Sequence, residues 1–230
     1  MVDMQRRNQS SKYGARRIRR LTGDRTDSIE VGRRALENSQ PNVSVLIARL
    51  MKEEDPLKRR LLLAGYITKI LEEAGGKVYV VGGFAAEVYT AGQFTTGDLD
   101  IVASDREKFC EVVKQLGFKP VGRVWMSEEL GIAVDLVGRD LSGSQDRTRI
   151  FEISDLRVSL IGVEDLAVKS LAAAKFGGSS RDLERAYVLL KVHRKRVDWE
   201  YLRRIAAAEK VDDLLGQVRE HMRRKPRLAP

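Results

Sequence analysis

Three carboxylates stand where acids are uncommon. Asp98 and Asp100 flank Leu99 at the head of an apolar run, Asp98-Leu99-Asp100-Ile101-Val102, and Asp135 sits inside another, Ile132-Ala133-Val134-Asp135-Leu136-Val137. Burying an unpaired charge is costly, so acids in such runs call for a reason. Side chains alternate along a strand, so Asp98 and Asp100 share one face while Leu99 faces the core. Two carboxylates at that spacing repel unless a cation lies between them. An all-oxygen donor set favours Mg²⁺ or Mn²⁺ over zinc. If Asp135 lies on an adjacent strand, the three acids meet at one edge of the sheet and can serve two ions in an in-line displacement at phosphorus. Gly82-Gly83 precedes them at the end of a short apolar run. Glycines permit close backbone approach to a phosphate, and the following helix offers N–H groups and a positive dipole end. The pattern is neither Gly-x-Gly-x-x-Gly nor the Gly-Lys-Ser/Thr loop, so the acids would have to organise a triphosphate through metal.

Alternation of short strands and helices must position these residues. The spacing predicts a helix from Pro56 to Ala74, stopped by Gly75-Gly76, then a strand over Val78–Val81 and a helix over Phe84–Ala91. A strand over Leu99–Ala103 and a helix over Asp105–Leu116 follow. Phe118–Met126 and Ile132–Val137 read as the arms of an antiparallel pair, and Arg149–Leu160 as one or two further strands. After Gly162 only helices are expected: Glu164–Phe176, Arg181–His193, one capped by Asp198, and Val211–Arg223. Upstream, short helices are expected at Asp27–Asn38 and Val43–Lys52. The fold class is therefore α/β (α+β): a small mixed sheet flanked by helices, then a C-terminal helical bundle. The expected divisions are a flexible basic arm at 1–26, N-terminal helices at 27–76, a catalytic core at 77–160 and a helical domain at 161–230.

Composition narrows the classes. A hydrophobic share of 43% in 230 residues supports a real core. One cysteine, Cys110, excludes an intramolecular disulfide and a cysteine metal cluster. His193 and His221 are the only histidines and lie far along the chain from the acids, which disfavours a histidine triad or zinc site. No secretory or membrane-spanning pattern is visible, so a cytoplasmic protein without a membrane partner is expected. The net charge of +9 is almost wholly terminal: residues 1–20 contribute +6 and residues 219–230 contribute +4, leaving −1 for the rest. Such ends could hold RNA through phosphate contacts, or could be solvated tails that aid solubility.

The strand, Gly82-Gly83, helix, Asp98-Leu99-Asp100 and later Asp135 together resemble the DNA polymerase β-like nucleotidyltransferase superfamily over roughly Leu57 to Val137. The 14 residues between Gly83 and Asp98 imply a longer helix-to-strand loop than is commonest there. A further similarity lies in Ile161-Gly162-Val163-Glu164-Asp165-Leu166-Ala167-Val168-Lys169 followed by Arg181-Asp182-Leu183, which looks like elements of the abortive-infection and toxin-type members, many of them uncharacterised prokaryotic proteins. The resemblance implies Gly82 and Gly83 as phosphate-holding residues. It implies Thr96 as the threonine before the acidic pair, and Lys169, or alternatively Lys175, as a contact to the nucleotide triphosphate. Arg181-Asp182 would link the helical part to the site. Gln93 and Phe94 stand where relatives often carry an arginine. The implied activity is transfer of a nucleoside monophosphate from an NTP, ATP among them, to an acceptor hydroxyl. Asp98 and Asp100 would ligate both ions, and Asp135 would ligate the catalytic ion and assist deprotonation. The acceptor could be an RNA 3′ end, a protein or a small molecule, with the basic ends tilting toward RNA. The alternative is a catalytically inactive module of the same fold that binds nucleotide, RNA or a protein partner, a toxin–antitoxin arrangement included. A third reading is nucleic-acid binding through the basic ends alone.

Overall fold

The computed structural model describes residues 43–223, all within one compact unit spanning Pro41–Pro230. The arm expected at 1–26, the helix expected at 27–38 and residues 224–230 of the basic C-terminus lie outside the described residues.

Helices α1 (Val43–Lys52) and α2 (Pro56–Glu73) open the described chain. Asp55 caps α2, its carboxylate accepting from the Leu57 and Lys58 N–H groups, with Pro56 at the first helical position. Strand β1 (Val78–Val80) leads directly into α3 (Gly82–Tyr89), and β2 (Asp98–Ala103) into α4 (Arg106–Gln115). The segment expected as one long arm is two strands, β3 (Lys119–Val121) and β4 (Val124–Ser127), because Gly122 turns the chain at φ +62°. Then come β5 (Ile132–Gly138), a 3-10 turn at Gln145–Arg147, β6 (Arg149–Ile153) and β7 (Leu156–Leu160). Four helices complete the described part: α5 (Val163–Gly177), α6 (Ser180–His193), α7 (Trp199–Ala208) and α8 (Asp212–Arg223). Ser179 caps α6 and Asp198 caps α7 through their side-chain oxygens.

The seven strands form one mixed sheet in the order β3-β4-β5-β2-β1-β7-β6. The β2–β5 and β1–β7 pairs are parallel and the remaining pairs antiparallel. The acids therefore lie on two central strands, and the expectation of a sheet edge is corrected to the middle of the sheet. This α/β fold has two apolar cores. Residues of α1–α4 pack with the sheet around Leu63, Ile67, Phe84, Leu99, Ile101 and Phe109. Residues of α5–α8 pack around Leu171, Ala186, Leu190, Leu202 and Val211. Tyr89 touches both, and its hydroxyl donates to the Ile161 carbonyl at 2.7 Å. Among the described residues, no helix is long and apolar enough to cross a membrane.

Candidate active site

In β2 the alternation holds: Asp98 is exposed, Leu99 is fully buried and Asp100 is half-buried. The parallel register sets Asp100 directly opposite Asp135 on β5, and Asp98 opposite Ala133. Asp100 and Asp135 thus point to the same face on neighbouring strands. Exposure falls steeply across the three, since Asp135 is 5% exposed.

The diglycine answers to two separate steric demands. Gly82 has φ +58°, a left-handed conformation, and a Cβ there would lie 2.1 Å from Asp100 Oδ2. A Cβ on Gly83 would lie 2.8 Å from Thr96 Oγ1. The Gly83 N–H donates to Asp100 Oδ2 at 2.9 Å. So the Gly83 N–H at the start of α3 serves the Asp100 carboxylate, a role that spacing alone did not reveal. Burial pushes the Asp100 carboxyl above its ordinary value. The Gly83 N–H opposes this, the charges of Asp135 and Asp98 reinforce it, and the Arg185 guanidinium opposes it.

Thr96 is held by groups that sequence reasoning missed. Arg60 and Glu87 form a buried ion pair at 2.8 Å. Arg60 Nη1 also donates to the Thr96 carbonyl at 2.8 Å, while Glu87 Oε2 accepts from the Thr96 N–H at 3.1 Å. Arg60 lies over the Phe84 ring, 4.7 Å from its centroid. One ion pair therefore fixes both sides of the Thr96 residue. The visible signal was Glu87 as the one charge of apolar α3, whereas Arg60 sits beside Lys58 and Arg59 in α2, with nothing to show that the two meet.

Helix α6 closes over the same loop. Arg181 donates to the Thr95 carbonyl at 2.7 Å and approaches the Phe94 ring at 5.5 Å. Arg185, one turn further on, pairs with Asp182 and donates to Ser170 Oγ. Burial depresses its guanidinium, and Asp182 and Asp100 counter that effect. Arg185 is thus a cation that acts on Asp100. Its position four residues after Arg181 was the available clue. Lys169 pairs with Glu209 at 2.9 Å, and Lys175 bonds Asp213 and the Lys210 carbonyl. Both lysines fasten α5 to the α7–α8 region.

Arg123, on the turn between β3 and β4, lies 3.0 Å from Asp135 Oδ2. Its side chain is 85% exposed, against 6% for that of Asp135. As the side chains stand, no group of three or more His, Cys, Asp or Glu among the described residues is gathered closely enough to hold a metal ion. Gly83 and Arg123 compensate the carboxylates instead. The donor set still has the chemistry of a hard-cation site: carboxylate oxygens only, two of them on directly opposed residues, with mutual repulsion already expressed at Asp100.

The chain is therefore an α/β protein whose central parallel strands present three acids beside a glycine-cradled helix start. No protein-family model matches it, and no curated protein matches it. Several solved structures are similar to it. One is an antigenic nucleotidyltransferase-like protein from Paracoccidioides brasiliensis, at 14% identity over 72% of this chain and 93% of that one, with a TM-score of 0.48. Another is the antibiotic-resistance factor ANT(2'')-Ia, similar at 12% identity over 72% of this chain and 95% of that one, with a TM-score of 0.46. The same protein in complex with adenylyl-2''-tobramycin gives 16%, 71%, 98% and 0.44.

Proposed function

We propose that this chain is a metal-dependent nucleotidyltransferase that moves a nucleoside monophosphate from an NTP to an acceptor hydroxyl, with an RNA 3′ end the favoured acceptor. The observation that carries this reading is the direct opposition of Asp100 and Asp135 on adjacent parallel strands, with Asp98 on the same face and Gly82-Gly83 against Asp100.

Asp98, Asp100 and Asp135 would hold Mg²⁺ or Mn²⁺. The bound ions would supply charge neutralisation at the triphosphate and acidify the attacking hydroxyl. The chain's own residues do the rest. The start of α3 and the Thr96 region receive the triphosphate on a backbone held by the Arg60–Glu87 pair. Arg181 and Arg185 bring positive charge to it from α6, the role first expected of Lys169. The acceptor oxygen bonds to the α-phosphorus, the bond to the β-phosphate oxygen breaks, and pyrophosphate leaves. Asp135 takes the hydroxyl proton once Arg123 has moved off its carboxylate.

A second reading, a non-catalytic module of the same fold, draws on one observation: Arg123 already neutralises Asp135. Incubation with each labelled NTP, Mg²⁺ or Mn²⁺, and total cellular RNA or protein separates the two. Label in one pool together with pyrophosphate release supports transfer. NTP binding with no release under any combination supports the module.

A further inference from the structure

A cavity of about 430 Å³ opens at the C-terminal end of α3, away from the diglycine at its start. Tyr89, Arg149, Glu164, His193 and Arg196 line it, and contacts tie them into one site. The His193 and Tyr89 rings meet edge-on with centroids 5.5 Å apart, and His193 Nε2 donates to the Tyr89 carbonyl at 2.9 Å. Arg149 and Glu164 act in opposite senses on the Tyr89 phenol, so both charges lie close to it. Glu164 is 5% exposed and accepts the Asp198 N–H at Oε1. Its Oε2 and the Nδ1 of His193 make no hydrogen bond among the described residues. Arg149 and Arg196 are exposed and enter no salt bridge among the described residues. The same holds for Arg194 and Lys195, the neighbours of Arg196 in the turn after α6. The negative end of α6 favours nearby cations, which accounts for Arg194. It does not account for Arg149, which arrives from the start of β6.

We propose that this cavity and the adjoining 194–196 turn bind an RNA chain, with one phosphate between Arg149 and Arg196 and a ribose 2′-hydroxyl donating to Glu164. Guanidinium groups match phosphate oxygens in a planar fork, and the 2′-hydroxyl is the group that separates RNA from DNA. Glu164 repels a bare anion, but two unpaired guanidinium groups outweigh it, and its unbonded oxygen matches a sugar hydroxyl. A row of exposed cations suits an extended polyanion better than a small one. The use of that RNA as acceptor rests on the nucleotidyl-transfer reading. Two paths through the fold give the distance from the cavity to the acids. Arg149 stands opposite Leu160, Leu160 opposite Val80, and Val80 opposite Ile101, the neighbour of Asp100. Three strand spacings make that about 14 Å. Along α6, Arg185, which acts on Asp100, precedes His193 by about 12 Å of helical rise. An RNA chain seated in the cavity therefore needs only a few nucleotides to bring its 3′ end to the carboxylates.

The test uses the full-length protein without NTP and a short single-stranded RNA with a free 3′ hydroxyl, followed by fluorescence anisotropy across a salt series. DNA of the same sequence is the comparison. Arg149→Ala and Arg196→Ala should each weaken RNA binding about tenfold and lower the salt slope by about 0.7. Both side chains are exposed, so these variants fold. Lys119→Ala removes one charge at the opposite edge of the sheet and should leave RNA affinity unchanged. RNA should bind about tenfold more tightly than DNA. Glu164→Gln keeps an oxygen for the Asp198 N–H but turns an amide NH₂ toward the sugar, and should erase that preference. Unchanged RNA affinity and slope in both arginine variants would overturn the proposal, as would an equal loss in Lys119→Ala. Equal binding of DNA, or an RNA preference indifferent to Glu164→Gln, would overturn it too. Any of these results in a protein that labels RNA leaves the transfer reading standing. Arginine-dependent, RNA-selective binding in a protein that releases no pyrophosphate supports the cavity assignment and sinks transfer.

Discussion

Half-buried Asp100 and buried Asp165 illustrate how differently two sheltered acids can be used. Asp100 lies among other acids: Asp98 and Asp135 press on it, and the Gly83 N–H and the Arg185 guanidinium answer. Asp165, in the first turn of α5, meets a side-chain donor at Oδ1, while its buried Oδ2 has no hydrogen-bond partner among the described residues. Tyr201 donates its hydroxyl to Asp165 Oδ1 at 2.9 Å, and Arg147 stacks over the Tyr201 ring at 3.7 Å while pairing with Asp198. Burial pushes both carboxyls upward. Around Asp165 the groups form a strut that ties the 141–147 segment to α5 and α7, with Glu164 as a like charge beside it. Around Asp100 the like charges are left in conflict. Like charge presses on both acids, but at Asp100 it comes from two residues, one of them directly opposite on the neighbouring strand, and a conflict of this kind is a cost that a ligand relieves.

The largest effect that would break this contrast is on turnover. Asp98→Asn and Asp100→Asn should each reduce metal-dependent transfer by about 10³-fold or more. Asp100→Asn should leave thermal stability level or raised, since an amide relieves the repulsion and still accepts from Gly83. A drop in melting temperature with activity retained would place Asp100 with the struts. Next in size is Arg60→Met, which strands Glu87 in the interior and should cost about 3–5 kcal/mol, measured by urea unfolding. At the strut, Tyr201→Phe should cost about 1–3 kcal/mol with kcat unchanged, because Asp165 loses its side-chain donor.

Asp165→Asn tests the same strut through pH. The folded carboxyl binds its proton more tightly than the unfolded chain does, because of burial, with Tyr201 and the Ser144 backbone opposing. Stability from this group is present below the unfolded value of 3.8 and is lost as pH rises through the raised folded value. The asparagine variant should therefore gain on the unmodified protein as pH climbs from 3.8 through that window, and stay level above it. Parallel denaturation curves at every pH would remove the contrast. The smallest effect belongs to Lys169→Ala. Its pair with Glu209 is well exposed, so the loss should stay below about 1 kcal/mol, with KM for the NTP unmoved. A large rise in KM would return the triphosphate contact to Lys169.

Local pattern made much of this fold legible. The alternation around Leu99, Pro56 at the start of α2, the Asp198 cap and the Gly75-Gly76 stop are short-range signals, and each sits where the sequence placed it. The division of β3 from β4 was missed although Pro120 and Gly122 are turn signals, because the apolar residues on either side of them read as one strand. The placement of β2 between β1 and β5 depends on pairings 20 to 40 residues apart, which local propensity does not encode. The three acids and two glycines stood out by residue type, and the register that opposes Asp100 to Asp135 gives them a common face. Arg123, Arg185 and the Arg60–Glu87 pair did not stand out. A surface-type residue that acts through a distant partner looks like any other lysine or arginine until the chain is folded.

The clamp on Thr96 also sets a clock. Its amide hydrogen is held by Glu87 and its carbonyl by Arg60, two side chains rooted in different helices and out of contact with water. Fraying of the 90–97 segment alone cannot release that hydrogen; α2 and α3 must part first. In deuterated solvent the Thr96 amide should therefore exchange in step with the core of α2, hours behind its exposed neighbours, although it lies in a loop.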